Sequence, residues 1–230
     1  MTMIFLLLLA VAPAVAIVLF IHLKDKHEPE PLRLLLLGVG CGVLSFFLSL
    51  GVGKFLHDFT HIDTSDVVDQ LIRAFVFVGL VEEASKFLFL RGILYRFFDE
   101  PLDGIVYAVM VAMGFAAAEN IVYVVQGGGG TAIIRMFTAV PAHAVFAVIM
   151  GFFLGEARVF STSSGLYHIL AIGFATFVHG FYDYFLFISF IPGLWIQAFV
   201  GLLIAVVLTH YAIKQRQHDS PFNREEDDDD

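Results

Sequence analysis

Apolar residues dominate this chain in long windows, and short polar or helix-breaking stretches separate the windows. A transmembrane helix needs about 20 mostly apolar residues, so each window can cross a bilayer once. The pattern predicts seven spans, at about residues 2–22, 33–55, 71–95, 104–125, 132–155, 165–190 and 192–213. Because only Pro192-Gly193 interrupts the apolar stretch 181–208, a six-span interpretation also fits.

The composition agrees with this pattern, since 59% of the residues are hydrophobic and 15% are charged, which excludes an ordinary soluble domain. Short connections, such as the glycine run 127–130, predict antiparallel neighbouring helices. The fold class is therefore all-α, a polytopic transmembrane helical bundle. We expect one integral membrane domain over residues 1–213 and an acidic, disordered cytoplasmic tail over residues 214–230.

The distribution of lysine and arginine predicts the orientation, because these residues tend to stay on the cytoplasmic side. No basic residue precedes the first apolar window, whereas Lys24 and Lys26 follow it, as in a retained signal anchor. With the N-terminus outside the cell and the C-terminus in the cytoplasm, nine basic residues lie inside: Lys24, Lys26, Arg33, Arg91, Arg96, Arg158, Lys214, Arg216 and Arg224. Three lie outside, namely Lys54, Arg73 and Arg135. We expect this orientation in the plasma membrane.

A single cysteine limits the available chemistry. Cys41 lies inside the second predicted span, so the chain can build neither a disulfide framework nor a thiolate metal site. The net charge of −9 says little about partners, because six carboxylates belong to residues 225–230.

Ionisable residues near the middle of four consecutive predicted spans are the main indication of function. A charged side chain at the bilayer centre costs roughly 2.5–3.5 kcal/mol even on lenient insertion scales, so such residues normally mark a working site. The spans from the third to the sixth carry seven of them: Glu82, Glu83, Lys86, Glu119, His143, His179 and Asp183. We interpret all seven as candidate catalytic residues.

Their depths and spacings place these residues in one layer. Glu82 and Lys86, like His179 and Asp183, are four residues apart and project from the same face of their helix. At about 1.5 Å per residue, Glu119 lies about one turn from the centre of its span. The four spans can therefore bring the seven side chains together.

The charge of this cluster requires compensation. Four carboxylates and one lysine, with neutral histidines, leave three net negative charges in a medium of low dielectric constant. Individual pairs such as Glu82 and Lys86 fit buried structural ion pairs. For the whole cluster, a divalent metal held by two histidines and a carboxylate describes a catalytic zinc site, whereas a shared proton would leave one glutamate as general base. The residue pattern does not choose between these.

The motifs resemble the PrsW family of intramembrane proteases. Glu82 to Lys86 reads E-E-x-x-K, and residues 115–120 read F-x-x-x-E-N. Residues 103–108, which lead into Glu119-Asn120, also resemble that family's ordered pattern, as do His143 and the H-x-x-x-D from His179 to Asp183. The resemblance covers spans three to six. More distantly, the pattern is similar to the CAAX-protease and Abi proteins, from which this chain departs at Lys86, Glu119 and Asp183.

The resemblance implies hydrolysis of a peptide bond in or near the membrane segment of another membrane protein, such as a single-pass anti-sigma factor. The implied partners are that substrate and the lipid bilayer, with no nucleic acid. The implied cofactor is zinc or another divalent metal, if the mechanism uses one, and the hypothetical ligands are His143, His179, Glu119 and Asp183. Glu82 or Glu83 would activate water, and Lys86 would fix the glutamate pair.

Two other functions use similar residues. A proton-coupled transporter also carries intramembrane carboxylates and histidines, but no internal repeat supports it. A catalytically silent protein that binds transmembrane helices would not need so complete a cluster.

Overall fold

Helices account for the whole architecture in a computed structural model that describes residues 2–25, 28–160 and 163–222. Within these ranges the helices are α1 (Met3–Lys24), α2 (Leu32–Phe59), α3 (Val67–Ile72), α4 (Val81–Phe89), α5 (Pro101–Phe137), α6 (Ala139–Val159), α7 (Ser164–Phe187) and α8 (Ile196–His218). The predicted all-α bundle is confirmed.

One helical rod, which we call the α3–α4 rod, corresponds to the third predicted span. The π-helix Arg73–Leu80 joins α3 to α4, and the π-helix Leu90–Leu94 and the 3-10 helix Tyr95–Phe97 follow α4. The residues at each junction keep right-handed helical backbone angles, so the rod is continuous. π-helical segments are rare and often lie at functional sites.

In the part of the chain that the structure describes, five helical regions are long and apolar enough to cross a membrane, and the region Pro101–Val159 contains both α5 and α6. The α3–α4 rod is divided into shorter segments and is therefore not among the five. With the rod and with α5 and α6 separated, the bundle has the seven predicted elements. α7 and α8 are separate helices joined around Gly193, whose φ is 84°, so the stretch 181–208 is not one span.

α5 is the central helix. Every residue from Pro101 to Ala116 is buried, and α1, α2 and α6 pack around it. Glycines allow the backbones to approach closely, because a Cβ at Gly104 would lie 2.3 Å from the carbonyl oxygen of Gly151 on α6. On the α2 side, a Cβ at Gly114 would lie 2.0 Å from the carbonyl oxygen of Val39. Small residues at helix contacts are typical of membrane bundles.

The predicted turn at residues 127–130 is a reversal of the chain inside α5. Gly128 has φ 73° and ψ −161°, a conformation that favours glycine because a Cβ would be strained there. After the reversal, Ala132 packs with Val124 in one buried cluster and Arg135 returns to Asn120. The segment after Gly128 therefore folds back towards the centre of the bundle.

α8 extends five residues past the predicted domain boundary at residue 213. Arg216 is 2% exposed, and its guanidinium lies 2.8 Å from the Glu156 carboxylate on α6. This contact holds the last turn of α8 against the bundle. The predicted tail therefore begins as helix, and its residues 223–230 lie outside the described part of the chain.

Candidate active site

The α3–α4 rod places two glutamates in the first turn of α4, directly after the first π-helix, and a lysine in its last turn. The Lys86 ammonium donates to Glu83 Oε1 at 2.7 Å and lies 3.7 Å from Glu82 Oε2. Glu83 is 0% exposed and Lys86 is 3% exposed. The predicted pairing of Lys86 with the glutamates is present, and the direct hydrogen bond is to Glu83.

His179 on α7 bridges the two glutamates. Its Nδ1 lies 2.8 Å from Glu83 Oε1, and its Nε2 lies 3.9 Å from Glu82 Oε2 and 3.4 Å from Asp183 Oδ2. Glu83 Oε1 accepts a hydrogen bond from the Nδ1–H group, so a neutral ring would turn its Nε2 lone pair towards two carboxylates. That arrangement requires a proton or a cation at Nε2.

Glu119 on α5 and His143 on α6 complete the cluster. His143 Nε2 lies 3.0 Å from Glu119 Oε2, and His143 Nδ1 lies 3.2 Å from the Lys86 ammonium. Because Lys86 can only donate, Nδ1 accepts, and Nε2 carries the proton that is donated to Glu119. All seven residues predicted as catalytic therefore lie in one continuous network.

Aromatic side chains surround the two histidines. The His179 ring stacks on Phe146 with centroids 4.6 Å apart, and the Lys86 ammonium lies 4.1 Å from the centre of the Phe115 ring. The His143 and His179 rings meet edge to face at 5.6 Å. These contacts restrict the orientation of both imidazoles.

Arg135, which the sequence analysis counted only among the basic residues on the outer side, also belongs to this network. Its Nη2 donates to Glu119 Oε2 at 2.6 Å, and its Nε donates to Asn120 Oδ1 at 2.7 Å. The reversal at Gly128 produces this contact. A lone cation in the apolar stretch after a glycine run is the signal in the sequence that could have indicated it.

Arg135 changes the charge of the centre. Four carboxylates, Lys86 and Arg135, with neutral histidines, leave two net negative charges instead of three. One divalent cation would neutralise that excess.

Three residues of the network hold donor atoms close enough together to share one metal ion. Ligand atoms of Glu82, His143 and His179 lie within 4.8 Å of one another. Two histidines and a carboxylate form a donor set of catalytic zinc sites. Glu82 Oε2 is buried and accepts no hydrogen bond from the described residues. The residues present therefore fit a divalent metal.

The structure adds Glu82 to the predicted ligands. Glu119 and Asp183 lie next to His143 and His179, respectively, but outside the three-donor group that the geometry brings together. Their assignment as ligands stays a prediction.

Two cavities meet at this cluster. One of about 390 Å³ is lined by the polar residues Glu82, Glu119, His143, His179 and Asp183, together with residues of α5, α6 and α7. The other, of about 560 Å³, lies between α2, the first π-helix and α5 and is lined mainly by apolar side chains. Glu82, Glu119 and Tyr123 line both cavities. We call the first cavity the polar chamber and the second the apolar groove. The carboxylates of Glu82 and Glu119 thus border both.

The bundle and the buried network define the class: an α-helical membrane protein built around an ionisable centre. The model of the PrsW family, described as intramembrane metalloproteases, matches residues 30–212. The chain belongs to this family. No solved structure matches the chain.

Curated relatives agree with the family assignment. The chain is 41% identical to Protease PrsW of Geobacillus kaustophilus over 123 residues, which cover 52% of this chain and 54% of that protein. It is 34% identical to Protease PrsW of Oceanobacillus iheyensis over 156 residues, or 66% of this chain and 71% of that protein. For Protease PrsW of Bacillus subtilis the identity is 38% over 116 residues, or 49% and 53%. The alignments thus span from about half to about seven tenths of these relatives.

Proposed function

We propose that this protein is an intramembrane peptidase that hydrolyses a peptide bond in or near the membrane segment of a single-pass membrane protein. The observation that carries the proposal is the network of Glu82, His143 and His179 at the junction of a polar chamber and an apolar groove. The network offers a base and electrophilic groups, and the groove offers room for an apolar peptide. Family membership supports the reaction class.

The two glutamates take different roles in this proposal. Glu83 is fully buried and binds both Lys86 and His179, so it positions those two side chains. Carboxylates that fix the second nitrogen of a ligating histidine commonly orient it. Glu82 borders both cavities, and its Oε2 is free of hydrogen bonds among the described residues. Without a metal, Glu82 takes the proton from the attacking water, and with a metal bound its carboxylate would instead be a ligand of the ion.

Two histidines and one carboxylate would hold the divalent metal. His143, His179 and Glu82 are the ligand candidates, with Glu119 and Asp183 close enough to complete or orient the set. When bound, the metal supplies Lewis acidity to a water molecule and to the scissile carbonyl group. Without it, the positive charges of Lys86 and Arg135 are the groups available to stabilise an oxyanion.

The apolar groove is the proposed route for the substrate. It is lined by Phe46 and Leu50 of α2 and by Phe77 and Val78 of the first π-helix, and Glu82 also lines it. A peptide in an extended conformation can place its carbonyl beside the network by this route. A substrate helix would have to unwind locally, because the backbone hydrogen bonds of a helix shield its carbonyl groups.

We also propose that the N-terminus lies outside the cell and the C-terminus in the cytoplasm. The Gln217 side chain near the end of α8 donates to the Lys24 carbonyl oxygen at the end of α1. The C-terminal ends of α1 and α8 are therefore neighbours. If both ends lie on the same side of the membrane, the chain crosses it an odd number of times. The excess of lysine and arginine assigns that side to the cytoplasm.

The test is cleavage of single-pass anti-sigma factors, and of other single-pass proteins of the host, by the purified protein in nanodiscs. We expect Glu82→Gln and His179→Ala to abolish cleavage, while Glu28→Gln, at an exposed glutamate far along the chain from the network, cleaves like the parent. If folded and inserted Glu82→Gln cleaves as fast as the parent, the proposed base is wrong.

A further inference from the structure

A second group of carboxylates lies outside the candidate active site. Unlike that site, it contains no histidine. Its members are Asp25 after α1, Glu30 before α2, and Asp99, Glu100 and Asp103 around the start of α5. We call these five residues the acid cluster. Carboxylate oxygens of Glu30, Asp99 and Asp103 lie within 4.8 Å of one another.

Most of the acid cluster is buried. Asp25, Glu100 and Asp103 are 2%, 0% and 1% exposed, while Asp99 is exposed. Burial raises the pKa of Asp25 and of Glu30, and it raises the pKa of Glu100 to about 7. The cluster therefore contains desolvated carboxylates with one side open to water through Asp99.

Some of these oxygens have partners that hold the side chains in place. Asp103 Oδ2 accepts from the backbone N–H groups of Asp99 and Glu100 at 2.8 and 3.0 Å, as a helix cap. Asp25 Oδ2 accepts from the Glu30 N–H at 2.9 Å. The Tyr107 hydroxyl donates to Glu30, and the Ser220 hydroxyl donates to Glu100.

The other oxygens of three buried members lack partners. Asp25 Oδ1, Glu100 Oε1 and Asp103 Oδ1 are buried and receive no hydrogen bond from the described residues. Within the same residues, no lysine, arginine or histidine nitrogen lies within 4.0 Å of the cluster. The N-terminus of α5 contributes only about half a positive charge. Capping therefore leaves most of the negative charge uncompensated.

We propose that the acid cluster binds one hard divalent cation, Mg²⁺ or Ca²⁺, through Glu30, Asp99 and Asp103. Oxygen-only donor sets of carboxylates and water select these ions, whereas zinc prefers sites with nitrogen or sulfur. The exposed Asp99 leaves room for the water ligands that such ions retain. Nothing in the peptidase chemistry requires this site.

A bound cation would connect two parts of the bundle directly, and the hydrogen bond of Glu100 brings a third part next to it. Glu30 belongs to the connection between α1 and α2, Asp103 belongs to α5, and Glu100 receives the Ser220 hydroxyl just after α8. All three meet at the end of the bundle where α1 and α8 end. The site would therefore stabilise the closed packing of this end.

The experiment is a titration of the purified full-length protein with MgCl₂ and with CaCl₂, followed by calorimetry and by the thermal midpoint of unfolding. In the parent we expect saturable binding and a higher midpoint, because a ligand that binds only the folded state stabilises it. Asp99→Asn removes one exposed ligand with little risk to folding, and we expect binding to weaken by about tenfold or more. Asp58→Asn is the matched control at an exposed aspartate of α2, and it should behave like the parent.

Two further variants separate the possible outcomes. His179→Ala should retain Mg²⁺ or Ca²⁺ binding, because it alters only the histidine-containing centre. Asp103→Asn should lose binding if it folds. The proposal is overturned if neither ion changes the parent, if Asp99→Asn responds like the parent, or if acidification alone reproduces the rise in midpoint, which would show that protons compensate the cluster.

Discussion

The pair formed by Arg135 and Glu119 makes a strong prediction about stability. Both side chains are mostly buried, at 15% and 13% exposure, and Arg135 makes a second charge-assisted hydrogen bond to Asn120. Removing one partner of a buried pair costs about 3–5 kcal/mol, because the other charge is left without compensation. Since both side chains keep some contact with the polar chamber, we expect the lower end, about 3 kcal/mol, for Arg135→Gln.

That loss is large enough to measure by thermal unfolding in detergent. For a protein of this size, about 3 kcal/mol corresponds to a fall of about 6–12 °C in the midpoint. The exposed Arg158 provides the matched control, and Arg158→Gln should change the free energy of unfolding by no more than about 0.5 kcal/mol.

A double-mutant cycle tests whether the two residues act as a pair. We expect Glu119→Gln combined with Arg135→Gln to be little worse than either single variant, because the double variant leaves no unpaired charge of this pair. If the two losses add, or if Arg135→Gln unfolds at the parent's midpoint, the reasoning from the buried ion pair is wrong.

Further predictions concern packing and the positioning of the imidazole. Gly104→Ala should prevent the close contact of α5 with α6, because its Cβ would lie 2.3 Å from a backbone oxygen. We expect this variant to give little monodisperse protein on size exclusion. The control Gly40→Ala, with open space around its Cβ, should purify normally. Glu83→Gln should lower kcat about 10–100-fold in the cleavage assay, because the amide no longer fixes the His179 tautomer, with KM little changed. A large rise in KM alone would instead place Glu83 in substrate binding.

The apolar windows were sufficient to predict the bundle, because a bilayer demands long apolar helices with all backbone groups paired within the helix. The same constraint made the ionisable residues conspicuous. Glu82, His143 and His179 could be selected from the sequence since no lipid-facing helix has a reason to carry them. Helical spacing also placed Asp183 beside His179, at 3.4 Å in the structure.

Other features depend on how the helices pack against one another, which the spacing of residues along the sequence does not reveal. Glu83 binds Lys86 and His179 while Glu82 borders the two cavities, and this difference depends on how α4 packs against its neighbours, which the sequence does not reveal. Arg135 reaches Glu119 only because the chain reverses at Gly128. The acid cluster combines two chain segments, residues 25–30 and 99–103, that meet only when α1, α2 and α5 have packed.

The most direct test of the central claim, a metal-dependent hydrolytic centre, is the metal content of purified, active protein measured by elemental analysis. We expect about one equivalent of zinc or another divalent transition metal in the parent and in Asp99→Asn, and its loss in a folded His143→Ala, His179→Ala double variant. Loss of cleavage should accompany loss of metal. Active parent protein without stoichiometric metal, or a double variant that retains it, would contradict the metal assignment for Glu82, His143 and His179.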